Sequence, residues 1–344
     1  MERRRLLQAL AALGLLGSSP TLTLARQAAK TAQSVEALSA LTGELTVYLG
    51  RGEGGLYEKV LAAIRERNPE LDLGVRRGSA AALANTIVAE AKAGVPRADI
   101  FWSIDSGSLG VVADQGAASP VPSAVSRFIR EPFRYPNWAA ISGRVRTVPY
   151  NTERVAASAI PDAVMDFPDT DLNIGWAPSY GSFQSFITAM RLLEGEQRTR
   201  EWLRAMKPRA KRYAGELGVV IGVARGEVDA GFANHYYTLR YRRGKPDAPV
   251  ELGFTRGDAG SLVNVAGAMP IADNPLVGDF LQYLLTEEVQ GFLAREAFEI
   301  PMVPGVEGPD ELPSLADIEP PDLDLRRLGE LQPTLTLLRD EGIL

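Results

Sequence analysis

Apolar and polar positions follow two rhythms along the chain. Short apolar runs, "ELTVYL" (44–49), "LDLGVRR" (71–77) and "ADIFWSI" (98–104), have strand length. Between them, apolar residues recur three and four apart, which predicts helices over 56–67, 80–93 and 108–115. The punctuation agrees, since Asn68-Pro69 stops the first helix and Gly94, with Pro96 beyond it, closes the second. Such a βαβαβα run predicts a parallel sheet with helices on both faces. "GRVRTVPYN" (143–151) leaves this unit as a strand.

A second α/β set follows, with "LNIGWAP" (172–178), helices over 183–194 and around 201–206, "KRYAGE", "GVVIGVARGE" and "VDAGFAN". "VELGFTRGDAGSLVNVAGAMPI" (250–271) is extended and returns, 274–298 is largely helical, and 325–344 closes the chain as a helix. The Pro-, Asp- and Glu-rich 304–324 reads as a surface connection, and no repeat at solenoid spacing is present. The fold class expected from this order is α/β, two lobes joined by two crossing strands around a cleft lined by strand-end loops. The division expected is 43–143 plus 265–344 for the first lobe and 144–264 for the second.

Composition narrows the chemistry. The net charge of −6 argues against a general nucleic-acid or anionic-membrane binder. The absence of cysteine excludes thiolate metal sites, disulfides and cysteine nucleophiles, and a single histidine, His235, excludes a multi-histidine site. Any metal must be held mainly by oxygen. At the N-terminus, Arg3, Arg4 and Arg5 precede a short apolar core and the small-residue site Thr23-Leu24-Ala25. Residues 1–25 therefore read as an export signal, its R-R-x-L-L-Q arrangement of the twin-arginine type, and 26–42 as a leader. The mature chain is expected outside the cytoplasm, in a periplasm, as a monomer.

Gly50, Gly52 and Gly55 spell G-x-G-x-x-G between a strand and a helix, the setting of a dinucleotide-binding turn. Against that reading, Asp72 lies inside the second strand rather than at its end, and Glu53 would face a pyrophosphate. The other readings are a tight turn that needs small residues, or one wall of an interlobe cleft.

The stretch "VARGEVDAGFANHYYTLRYRRG" is more informative. Its first half reads as a helix end, a turn and a short strand, after which Tyr236-Tyr237 opens the next helix. Within a strand adjacent side chains diverge, but at a helix start two phenols can converge on one cation. A phenol with an ordinary pKa near 10 yields its proton at neutral pH only to a strongly polarising ion, which favours Fe³⁺ over Mg²⁺ or Ca²⁺. His235 reads as surface or packing, and Trp102, Trp138 and Trp176 as core or hinge. "YRRGK" (241–245) reads as a solvated helix end, with docking to a partner protein as the alternative.

Over roughly residues 43–340 the chain resembles the periplasmic ferric-iron-binding proteins of ABC importers. The resemblance is carried by "LTVYLGRGEGGLYEKV", "ADIFWSIDSGSL", "WAAISGRVRTVPYN", "IGWAPSYGSFQSFITAM", "GEVDAGFANHYYTLRY" and "GDAGSLVNVAGAMPI". It implies a non-enzyme that holds Fe³⁺ in the interlobe cleft through Tyr236 and Tyr237 and delivers it to an inner-membrane permease. It further implies Tyr180 as a third tyrosine ligand, the alternative being an exposed loop tyrosine. Where some members carry histidine, this chain has Gly52 and Glu53, and Glu53 either supplies an oxygen or only lines the cleft. Asp105 is a weaker carboxylate candidate. A synergistic carbonate or phosphate is implied at Arg144, whose planar fork suits oxyanions, unless Arg144 is a structural ion pair. Ser182 and the N–H groups of Gly181 and Ser182 would add donors, and Asn234 would support the tyrosines. The rivals are the same fold holding a small anion or organic solute such as a phosphonate or thiamine, and an exported dinucleotide-dependent oxidoreductase.

Overall fold

The computed structural model describes residues 31–50 and 55–344. The export signal, the first residues of the leader, Gly52 and Glu53 lie outside them. Among the described residues, no helix is long and apolar enough to cross a membrane.

Two sheets share one strand. In the first, β1 (Gly43–Gly50) pairs in parallel with β2 (Leu71–Gly78) and β3 (Ile100–Ser103). The helices α1 (Leu56–Arg67), α2 (Ala80–Lys92) and α3 (Ser106–Asp114) connect and follow these strands. β4 (Ala139–Asn151) leaves this sheet and enters the second, where it meets β7 (Ala230–Gly231), β8 (Ala233–Asn234) and β9 (Val250–Gly253). β5 (Ile174–Trp176) lies parallel to β6 (Ala210–Arg212) and to β7. The chain returns along β10 (Val263–Pro270), antiparallel to both β3 and β4. Two crossing strands thus join two lobes, as expected. All eight residues of β10 and all four of β3 are buried, which is why they read as unbroken apolar runs.

In the second lobe, α4 (Gly181–Glu194), α5 (Glu196–Met206), α6 (Glu216–Ala224) and α7 (His235–Gly244) cover the sheet. The later chain forms α8 (Leu276–Leu284), α9 (Glu287–Phe292), a π-helical turn at Leu293–Ala297, β11 (Ile300–Pro301) against β4, and α10 (Leu331–Asp340). α10 leans on the second lobe. The Thr334 and Thr188 hydroxyls lie 2.8 Å apart, and Glu341 accepts from Arg200 and Arg204 of α5, each at 2.7 Å. The preceding turn, Leu325–Gly329, packs on α3 of the first lobe, so the closing segment spans both lobes.

Local chemistry sets the helix ends. α3 begins two residues before its expected start, because the Asp105 carboxylate accepts the Ser108 N–H at 2.7 Å as an N-cap. In the glycine turn, a Cβ on Gly50 would lie 3.2 Å from the Ala80 Cβ and 3.3 Å from the Trp102 carbonyl. Gly55, at φ +68°, precedes α1 in the left-handed region. Both glycines therefore have packing or backbone reasons that require no nucleotide. The three singled-out tryptophans are wholly buried, and Trp102 stacks on Tyr57 at 4.5 Å and 8°.

Candidate metal centre

β8 pairs with the crossing strand β4, Asn234 opposite Arg146, and the chain turns directly into α7. Asn234 caps this helix in an extended conformation, which places Tyr236 and Tyr237 in its first turn. Their rings lie 4.5 Å apart, tilted by 46°, and both side chains are buried. Tyr180 stands at the N-cap of α4. Its hydroxyl meets that of Tyr237 at 2.5 Å. Nδ2 of Asn234 donates to the Tyr236 hydroxyl at 3.4 Å, and the Arg240 guanidinium lies 4.8 Å above the Tyr236 ring. All three expected tyrosines sit at helix starts. There side-chain directions are not forced apart as in a strand.

Arg144 sits on β4 opposite Asn264, half-buried. Among the described residues its guanidinium makes no hydrogen bond or ion pair. Burial disfavours its charge, but the nearby Tyr236, Tyr57, Asp105 and Glu299 outweigh this and hold its pKa above the ordinary value. Such a fork can receive an oxyanion. Gly181 and Ser182 are the first two residues of α4, with their N–H groups at its positive end. The Ser182 hydroxyl is already engaged, donating to Glu216. Asp105 is likewise committed, accepting the N–H and, at 3.0 Å, the hydroxyl of Ser108.

His235 is wholly buried, and both ring nitrogens are in use. Nδ1 accepts the Val145 N–H at 3.1 Å, so the proton resides on Nε2, which donates to the Phe298 carbonyl at 2.5 Å. Burial pulls its pKa down to about 4, against the opposing effect of those two backbone contacts. It packs the joint between β4 and the segment after the π-helical turn.

Two groups escaped the sequence reading. One is a buried ion pair beneath the tyrosines, Arg146 with Glu216 at 2.6 Å, both side chains at most 3% exposed. Glu216 also accepts the Asn234 N–H at 2.9 Å, and Arg146 donates to the Ser182 carbonyl at 2.5 Å. The other lies on the first-lobe side. The Tyr57 hydroxyl donates to Glu299 at 3.1 Å, and Ser142 donates to the same carboxylate. Burial raises both the Tyr57 phenol and the Glu299 carboxyl above their ordinary values. The only sequence signal for the first group was the spacing of Arg144 and Arg146, two apart on one strand and so on one face. Among the described residues, no group of three or more histidine, cysteine, aspartate or glutamate side chains is placed to hold a metal. A site built on phenols is not of that type.

Comparison with known proteins places these features in context. The model of the bacterial extracellular solute-binding protein family matches residues 45–299. The major ferric iron-binding protein of Neisseria meningitidis is 26% identical over 324 residues, covering 91% of this chain and 97% of that one. The Fe(3+)-binding periplasmic protein of Serratia marcescens is 26% identical over 281 residues, covering 78% and 82%. Among solved structures, iron-bound HitA from Pseudomonas aeruginosa superposes with a TM-score of 0.76 at 26% identity, covering 87% of this chain and 99% of that one.

Proposed function

The chain belongs to the bacterial extracellular solute-binding proteins, and from that premise we propose that it captures Fe³⁺ through tyrosinate oxygens in its interlobe cleft. The observation that carries this reading is the meeting of Tyr180, Tyr236 and Tyr237, with two of their hydroxyls 2.5 Å apart. The ferric iron-binding relatives support it. Tyr236 and Tyr237 supply hard anionic oxygen once a trivalent ion displaces their protons, and Tyr180 joins them from the start of α4. Arg144 receives a carbonate or phosphate that completes the shell, assisted by the N–H groups of Gly181 and Ser182. Asn234 steadies Tyr236. Glu53 stands as a further oxygen donor from the glycine turn.

The protein acts as a periplasmic carrier that catalyses no reaction and hands its ion to an inner-membrane ABC permease. Protons compete with iron for the phenolate oxygens, so acid favours release. The open fork of Arg144 gives one specific reason to consider a small organic anion as cargo instead.

The purified chain, treated with ferric citrate, distinguishes the two. The ferric reading predicts one iron per chain and a visible phenolate-to-iron charge-transfer band. A colourless protein that takes up no iron but binds a phosphonate would overturn it.

A further inference from the structure

We propose that Glu216 is the positioning residue of this centre: one buried carboxylate holds in register the three segments that present Tyr180, the Tyr236–Tyr237 pair and Arg144. The inference rests on the ferric reading and deepens it, because it names what assembles the site before metal arrives.

The contacts form a pattern. Glu216 opens α6, and its carboxylate is wholly buried. Oε1 accepts from Arg146 at 2.6 Å and from the Ser182 hydroxyl, and Oε2 accepts the Asn234 N–H at 2.9 Å. Each donor stands two residues from a group of the site. Arg146 follows Arg144 on β4, Ser182 follows Tyr180 into α4, and Asn234 precedes Tyr236 into α7. Arg146 closes the network by donating to the Ser182 carbonyl at 2.5 Å, and its guanidinium lies 5.4 Å from the Phe186 ring.

The chemistry explains why a carboxylate is needed. Ionised, it only accepts, and its two oxygens take three donors from three directions. The Arg146 charge neutralises it, so the network adds little net charge beside a trivalent ion. A glutamine has one accepting oxygen and one donating nitrogen. Either orientation would set N–H against at least one existing donor. The network therefore tolerates neither amide nor apolar replacement of Glu216 without releasing one of the three segments.

The test compares wild type, Glu216→Gln and the double variant Arg146→Met with Glu216→Leu. The double variant removes both buried charges together and so leaves none unpaired, which keeps the fold testable. Both variants are expected to lose about 10- to 100-fold in ferric affinity and to shift the charge-transfer band. A folded variant with wild-type affinity and an unshifted band overturns the proposal. The metal-free crystal structure of Glu216→Gln reads the same proposal without iron. Loss of the Tyr180–Tyr237 hydroxyl contact relative to the metal-free wild-type crystal structure supports it, and a contact unchanged from wild type overturns it. Failure of the wild type to bind iron would sink the ferric reading alone, because the metal-free geometry still decides the role of Glu216.

Discussion

The hydroxyl oxygens of Tyr180 and Tyr237 lie 2.5 Å apart, although 57 residues separate them in the chain. One hydrogen bridges them. On the proposed ferric reading, a metal entering there would replace that bridge with bonds to both oxygens. Tyr236→Phe and Tyr237→Phe should each lose the visible band, with ferric affinity falling beyond the roughly 100-fold typical of changes outside the coordination shell. Tyr180→Phe should weaken binding less and shift the band rather than abolish it. Absorbance titration with ferric citrate and a competing chelator checks all three.

Arg144 makes no direct pair among the described residues, so its replacement should disturb the anion more than the fold. Arg144→Gln is expected to keep the wild-type melting temperature within a few degrees. Wild-type ferric affinity should rise when carbonate or phosphate is added, and the variant's should not. Affinity measured in buffers with and without each anion reads this difference.

His235 gives the metal-free protein a pH-dependent stability. Its pKa is about 4 in the folded chain, against 6.5 ordinarily. The folded state thus favours the neutral ring. The stability this contributes is fully present above pH 6.5 and is lost as pH falls towards 4, an effect of ~3 kcal/mol. Thermal melts of metal-free protein between pH 7 and pH 4 should show this decline. His235→Gln, which does not titrate there, should start lower and fall less.

Gly110 of α3 faces the turn before α10, where a Cβ would come within 2.5 Å of the Arg326 carbonyl. Backbone cannot step aside as a flexible side chain can. Gly110→Ala is expected to destabilise the protein by about 1–3 kcal/mol, read by denaturant unfolding, while the charge-transfer band of the folded fraction stays unchanged. A band shift with this variant would mean that the packing of α3 against the closing segment reaches the metal centre.

Much of the architecture was legible because local signals agreed. The helix over 56–67 carries its own stop in Asn68-Pro69, and the structure ends it there. The tyrosine pair was placed at a helix opening by the turn and short strand before it, and Asn234 caps that helix. What local signals could not show was long-range. β4 begins at Ala139 rather than 143, since its apolar start, buried on both faces, has no alternation to mark it. Glu216 and Arg146 are 70 residues apart, and nothing near either one announces a buried partner. The docking of α10 on the second lobe is equally non-local, decided by Thr334 meeting Thr188 and Glu341 meeting Arg200.

The crystal structure of the iron-loaded protein tests the central claim most directly. It should show a single ferric ion bonded to the phenolate oxygens of both Tyr236 and Tyr237, with the lobes closed over it. An ion seated elsewhere in a closed cleft, with those two oxygens still protonated and uncoordinated, would contradict the account.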